Sequence, residues 1–187
     1  MRLVFAGLAL AALSCGGGTG APTGTATFTG SIHATAFVPR DAISANVTSP
    51  AGRAGVIVLT NATGLCSQLS GGKGPKNTQF LILTALQQQP DHTTAPPGAP
   101  GKYDLLNPDK SAFAVFLAVD DTCQDRGPSA DAFGTAGAVT FTSVGDHYAG
   151  SFDLTLNGTD HGAGAFDAPA CPALAKLVVD RNNLACQ

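Results

Sequence analysis

Apolar and polar residues alternate along the second half of the chain, and this pattern limits the fold more than any other feature of the sequence. Every second residue is apolar in 139–142 and again in 151–156, with Gly145-Asp146 between the two runs. A period of two buries one face of a β-strand and leaves the other in water. Asn157-Gly158 then gives the strongest two-residue hairpin signal, because both central positions of a type I′ turn need positive φ. With a third strand through Phe166, the pattern predicts an antiparallel meander.

The first half of the chain predicts further strands of two kinds. Residues 26–33 alternate in the same way as the meander and predict a first strand. Three other runs are continuously apolar, which is typical of strands that are buried on both faces or central in a sheet: 55–60, 78–86 and 112–119. The proline-rich segment 87–101 predicts a long exposed loop between two of these strands.

Helices are expected to be few and short. Residues 63–69 can form one helix that ends at Gly71-Gly72, and Pro172 can open a second. Charged residues make up only 12% of the chain, while it has 23 Gly and 12 Pro among 187 residues, a composition that favours short strands and many turns. We therefore predict a single all-β domain over 26–187, an antiparallel β-sandwich or a small β-barrel of about seven to nine strands.

The amino terminus predicts export and attachment of lipid. One positive charge, Arg2, precedes the apolar run 3–13, which suits a secretory signal and is too short to span a bilayer. Residues 12–15 (Ala-Leu-Ser-Cys) resemble a lipobox, the processing site of bacterial lipoproteins. We therefore predict a signal peptide over 1–14, and over 15–25 a lipidated Cys15 followed by a flexible Gly- and Thr-rich tether.

Four cysteines remain when Cys15 is set aside: Cys66, Cys123, Cys171 and Cys186. An even number in an exported chain predicts two disulfides. The sequence leaves three pairings open, among them a local loop between Cys171 and Cys186 that leaves Cys66 with Cys123. No spacing is CxxC, so structural zinc and thioredoxin-type chemistry are not expected.

Charge gives no basis for nucleic acid as a partner. The formal net charge is −3, and the ten Lys and Arg do not cluster, so they cannot neutralise a run of phosphates. Attachment to a membrane is therefore expected through lipid on Cys15 alone.

The sequence predicts no metal site and no cofactor. Three Asp-His pairs invite a metal hypothesis: Asp91-His92, Asp146-His147 and Asp160-His161. If 148–156 is one strand at about 3.3 Å per residue, its two ends lie roughly 30 Å apart, so the last two pairs cannot share an ion. The acidic pair Asp120-Asp121 is interpreted as a solvated turn rather than a calcium site.

Catalytic motifs are not found either. The chain has no GxSxG elbow, and Ser70 and Lys73 match the SxxK spacing without the Ser-Asp-Asn or Lys-Thr-Gly that accompany it. The glycines around Lys73 do not form a P-loop, because the first glycine of that motif is missing. We therefore predict that the protein is not an enzyme.

Several segments together resemble uncharacterised lipoproteins of myxobacteria and related Gram-negative bacteria. They are the lipobox-like Cys15 with its tether, 64–69 (GLCSQL), 150–154 (GSFDL) and 165–171 (AFDAPAC). The resemblance implies a β-sandwich or barrel and implies no activity. It also implies the outer membrane, since Gly16 rather than Asp follows Cys15.

Three hypotheses about function follow. The first is an envelope-anchored lipoprotein whose β-domain is non-enzymatic and binds an unknown protein or small molecule or has a structural role. The second is a carrier of a small apolar ligand inside a barrel. The third is a hydrolase with a site assembled from distant residues: His33, Asp121 and His147.

Overall fold

The computed structural model describes residues 21–50, 52–179 and 185–186, so the predicted signal peptide and Cys15 lie outside this part. The fold is all-β with two short helices, as the sequence predicts. The strands are β1 (Thr25–Ala26), β2 (Thr29–Gly30), β3 (Asp41–Ser49), β4 (Gly52–Thr60), β5 (Lys73–Gly74), β6 (Gln79–Gln88), β7 (Thr94–Ala95), β8 (Gly101–Asp104), β9 (Lys110–Ala118), β10 (Ala132–Ser143), β11 (His147–Leu156), β12 (Asp160–Pro169) and β13 (Ala185–Cys186). The helices are α1 (Leu65–Ser70) and α2 (Pro172–Val179).

Seven strands of nine residues or more curl into a nearly closed barrel in the order β3-β4-β6-β9-β10-β11-β12, with β8 inserted between β9 and β10. Each of the seven runs antiparallel to its neighbours in this order. Because seven is odd, β3 and β12 must run parallel where the barrel closes. A parallel bridge joins Ser44 to Ala170, and the Ser44 hydroxyl donates to the Ala168 carbonyl at 2.8 Å.

The meander β10-β11-β12 forms as the alternation predicts. Phe152 lies opposite Val139 on one side and Gly164 on the other. Asn157 and Gly158 both adopt positive φ, 48° and 78°, as a type I′ turn requires. We call the end of the barrel at this turn the lower end, and the other end the upper end.

Side chains fill the interior of the barrel. Aromatic rings form a chain of edge-to-face contacts in which Phe141 touches Tyr103, Tyr148 and Phe166 with centroids 5.3 to 5.9 Å apart. Small residues make room for these rings, since a Cβ at Gly162 would lie 2.5 Å from the ring of Phe28. The core therefore combines large rings with glycine positions.

The two helices cover the outer face of β3 and β4. Val56 and Val58 point outward into a second buried cluster with Leu65 of α1 and Leu174 of α2. The inward residues of β4 belong to the barrel core. Run 55–60 is therefore buried on both faces, as its continuous apolar sequence predicts.

The amino-terminal segment departs from the prediction of one strand over 26–33. It forms the short strands β1 and β2 along β12, and then a tight turn at Ile32 to Thr35 crosses the lower end. Ile32 and Phe37 are buried there and close the barrel from below. The carboxylate of Asp41 joins the start of this segment and helix α1 to β3, since it accepts hydrogen bonds from the Gly24 and Leu65 amides at 3.0 and 2.8 Å.

Segment 87–101 is more ordered than the long exposed loop that its prolines predict. Its strand β7 pairs with the end of β6, and Pro97 is buried. A Cβ at Gly55 would lie 2.7 Å from the Tyr148 hydroxyl and 3.1 Å from the ring of Pro97. The segment thus folds over the upper part of the barrel.

Candidate functional site

The four cysteines form two disulfides, which confirms the predicted number of disulfides. Cys66 bonds Cys171 and joins the two helices, while Cys123 bonds Cys186. The possible local pairing of Cys171 with Cys186 is therefore wrong, and so is the pairing of Cys66 with Cys123 that would accompany it. The physical reason is topological: α1 and α2 lie side by side on β3, although 105 residues separate their cysteines.

The Asp-His dipeptides do not converge. Asp146-His147 begins β11 at the upper end and Asp160-His161 begins β12 at the lower end. Each histidine instead pairs with an aspartate on the neighbouring strand: His147 with Asp167 at 2.6 Å and His161 with Asp153 at 3.0 Å. These pairs are exposed side-chain contacts on the outside of β11 and β12.

The three residues of the hydrolase hypothesis lie apart. His33 is in the lower turn, where its Nε2 lies 2.8 Å from the Asp131 carbonyl oxygen, whereas His147 is at the other end of β11. A ten-residue strand separates the two ends of β11 by roughly 30 Å. The structure therefore does not assemble this site.

Two acidic residues near the lower end, Asp120 and Asp131, have different surroundings. The Asp120 carboxylate accepts hydrogen bonds from the backbone and hydroxyl of Thr122, both at 2.8 Å, and from the Gln124 amide at 3.0 Å. These bonds lower the pKa of Asp120. Burial raises the pKa of Asp131 instead, and the neighbouring carboxylate of Asp125 raises it further. Within the described residues, no three or more His, Cys, Asp or Glu side chains are placed to hold a metal ion.

Two buried phenols lie in the upper half of the barrel. Tyr148 donates a hydrogen bond to Asn46 Oδ1 at 2.6 Å, and burial raises its pKa to about 12. Burial also raises the pKa of Tyr103. Both groups are neutral at physiological pH, so they act as packing residues with one polar end rather than as bases.

An apolar row crosses the outside of five strands. Phe133 of β10 lies opposite Val115 of β9, Val115 opposite Ile82 of β6, Ile82 opposite Val58, and Val58 opposite Ile43. The helices bury the last two residues. Ile82 and Val115 remain half-buried, and Phe133 is 56% exposed.

The open part of this face forms what we call the apolar strip. It consists of apolar outward side chains of β6, β9 and β10 together with Leu106, which follows β8: Ile82, Leu86, Leu106, Phe113, Val115, Leu117 and Phe133. Leu106 and Phe113 are 82% and 52% exposed. The strip itself carries no charge, although polar Thr84 lies opposite Phe113 and the exposed ion pair of Lys102 and Asp104 lies just before Leu106. Among the described residues, helices α1 and α2 reach only its edge, where Ile82 packs against their cluster. Runs 78–86 and 112–119 therefore form central strands of the sheet, as predicted, but their outward residues are not fully buried.

A polar recess of about 420 Å³ lies at the upper end of the barrel. It lies between the end of β6 and the start of β9, and it is lined by three consecutive glutamines (Gln87, Gln88, Gln89) and by Pro90, His92, Asp109 and Lys110. The Lys110 ammonium lies 5.9 Å from the centroid of the Tyr103 ring. The sequence shows the run of glutamines, but only the fold brings Asp109 and Lys110 beside it.

Comparison with protein families, with curated proteins and with solved structures finds no match to this chain. Among the residues that the structure describes, no helix has the length and apolar character needed to cross a membrane.

Proposed function

We propose that this protein is an exported, lipid-anchored and non-enzymatic β-barrel that acts as a binding module of the cell envelope through its apolar strip. The lipid would be carried by Cys15 and the domain held near the membrane, in keeping with the resemblance to lipoproteins of Gram-negative outer membranes. Two disulfides in the domain suit an oxidising compartment.

The apolar strip is the observation that carries this proposal. Monomeric soluble proteins seldom expose a contiguous group of large apolar side chains, and such groups mark interaction surfaces. Three of the large residues in the strip are more than half exposed: Leu106, Phe113 and Phe133. None of them is needed to fill the core, because the inward residues of the same strands already do so.

Packing of the barrel speaks against the carrier hypothesis. A lipocalin-like carrier needs free volume between the strands. Here the interior positions hold large buried side chains, among them Tyr103, Phe141, Leu154 and Leu156, each at most 2% exposed. We therefore place the binding function on the outside.

The partner that best fits the strip is a second copy of this chain. An uncharged apolar surface needs a partner surface that is also uncharged and apolar, because burying an unpaired charge is costly. A second copy of the chain carries the same strip. In a two-fold dimer, the strip of one subunit packs against the strip of the other. Anchoring at Cys15 would hold both copies in one membrane plane.

Sedimentation of the mature chain with Cys15→Ser, which removes the lipid, tests this proposal. We expect a dimer whose dissociation constant rises at least tenfold, about 1.4 kcal/mol, when Phe113 and Phe133 are both changed to Ser. Val38→Ser is the matched control, because Val38 is a 63% exposed apolar residue outside the strip. Its dimer should be unchanged.

Two results would contradict the dimer. One is a monomer at every concentration tested. The other is binding of the unlipidated chain to phosphatidylcholine vesicles that is lost with Phe113→Ser and Phe133→Ser while the chain stays monomeric, because this would assign the strip to the bilayer.

A further inference from the structure

We infer that the chain leading to Cys15 leaves the barrel on the side opposite the apolar strip, so that the strip is turned away from the point of lipid attachment and stays open to a second copy. The inference rests on the proposed function, which places the lipid on Cys15 and the partner on the strip. It adds the orientation of the barrel between the two.

Residues 21–25 are held by the barrel, although the sequence assigns them to a flexible tether. The Gly24 amide donates to Asp41 Oδ1 at 3.0 Å, and Asp41 is 1% exposed. Ala21 packs against the buried cluster that the two helices form with β3 and β4. The position of residue 21 on the barrel therefore decides where the chain leaves the fold.

This segment lies at the junction where the barrel closes. Thr25 pairs with Asp167 of β12. A Cβ at Gly24 would lie 2.2 Å from the carbonyl oxygens of both Ala42 in β3 and Asp167 in β12. Two backbones approach a third this closely only where a side chain is missing. The segment is therefore wedged between β12 and β3.

The apolar strip lies on the opposite wall of the barrel. In the order β3-β4-β6-β9-β10-β11-β12, the middle strand is β9, so it lies farthest from the junction of β12 with β3. Phe113 and Val115 of β9 form the centre of the strip, between Ile82 of β6 and Phe133 of β10. The anchored side and the strip therefore point in opposite directions.

The length of the tether keeps the strip off the membrane. Six residue steps join Cys15 to Ala21, which is about 20 Å when fully extended and about 13 Å on average for a Gly-rich segment. Facing sheets lie about 10 Å apart, and the strip and Ala21 each lie outside them by a further layer of side chains, so roughly 20 Å separates the two. A strip resting on the bilayer would need a tether at its full extension.

Pairing of the strips puts the two anchors on the outer flanks of the dimer. Four sheet walls then lie between one flank and the other, at about 10 Å each, so the junctions of β12 with β3 in the two copies are roughly 30 Å apart. Both lipids still enter one bilayer when the two-fold axis stands along the membrane normal.

A nitroxide label on Cys15 tests the orientation without any lipid. The other four cysteines are paired in disulfides, so Cys15 alone takes the label. In NMR spectra of the ¹⁵N-labelled mature chain, made monomeric by Phe113→Ser and Phe133→Ser, we expect the strongest broadening at amides of β3, β12 and α2. Amides at positions 113, 115 and 133 should broaden least.

The matched control moves the label to the strip. Leu106→Cys combined with Cys15→Ser places it on a residue that is 82% exposed, and the pattern of broadening should reverse. A label on Cys15 that broadens the strip as strongly as β3 and β12 overturns the inference.

Electron spin distances between two labelled copies form the second arm, measured on the chain with an intact strip. Most distances from one Cys15 label to the other should exceed about 30 Å. Shorter distances would mean that the anchored sides face each other, which overturns the arrangement of the dimer. A chain that stays monomeric contradicts the proposed dimer alone, because the broadening pattern still decides the orientation.

Discussion

Phe152 and Asp153 are neighbours in the chain with opposite surroundings. Phe152 is 3% exposed, and its ring lies 6.2 Å from that of Phe28, centroid to centroid. Asp153 points outward and contacts only the exposed His161 at 3.0 Å among the described residues. The alternation in the sequence therefore corresponds to a difference in burial between adjacent residues.

Phe152→Ala should reduce the free energy of unfolding by about 3–5 kcal/mol, because it removes a buried ring and leaves a cavity beside Gly164. Asp153→Ala should change it by no more than about 0.5 kcal/mol, because an exposed pair contributes little. Urea unfolding of the two variants measures both values. Similar losses from both variants would mean that the alternation does not decide which side chains the fold buries.

Which residues alternate is visible in the sequence, but what each one faces is not. A Cβ at Gly164 would lie 2.0 Å from the Thr27 carbonyl oxygen, and one at Gly162 would strike the Phe28 ring. These contacts join residues more than 130 positions apart. No local pattern predicts them, because they depend on how β1 and β2 lie along β12.

At the scale of elements, the two disulfides differ in access. Cys66 and Cys171 are 2% and 0% exposed between the helices, whereas Cys186 is exposed and Cys123 is half-buried. They also link segments far apart, 105 and 63 residues in sequence. In the chain-entropy model, cross-links over such loops stabilise the fold by about 4–5 kcal/mol each.

Mild reduction of the folded protein should open Cys123–Cys186 first, because a thiolate must reach the sulfur that it attacks. Alkylation during the reaction and peptide mass spectrometry identify the freed thiols. The variant with Cys123→Ser and Cys186→Ser serves as control, and its remaining disulfide should resist reduction until the chain unfolds. Early labelling of Cys66 or Cys171 would contradict this order.

The elements themselves were largely predictable, because their signals are local. The Asn157-Gly158 turn, the strands around it and both short helices follow from turn chemistry and periodicity. The cysteine pairing did not follow, because it depends on α1 and α2 meeting on β3. Strands β3 and β8 were also missed, because polar residues interrupt the apolar ones in β3 and because four residues are too few for a periodic signal in β8.

At the scale of the whole molecule, barrel closure explains why the candidate sites lie outside. Seven strands enclose a volume that their own side chains fill, in line with the sizes of small barrels. The apolar runs 78–86 and 112–119 predicted core strands, but not that part of their outward face forms the open strip. The recess was not predictable, because its two sides come from strands that the sequence does not show to be neighbours.

Lipid attachment is a prediction about Cys15, which lies outside the described residues. Cells expressing the protein and fed a fatty-acid probe should label it, and Cys15→Ala should abolish the label while the domain stays folded, because Cys15 precedes the first strand, β1, in the sequence. Circular dichroism of the variant is the control for folding. An unlabelled wild-type protein would refute the lipid anchor.

The pairing of the cysteines also determines the order in which disulfides can form during export. If the chain is exported amino terminus first, Cys66 and Cys123 leave the translocation channel before either of their partners, Cys171 and Cys186. With the Cys15 thiol blocked by lipid, as proposed, the disulfide available at that moment joins the two early cysteines, and it is absent from the native fold. A chain oxidised too soon is therefore trapped until a disulfide isomerase reopens that bond, so the yield of this protein should depend on isomerase supply more than on oxidant.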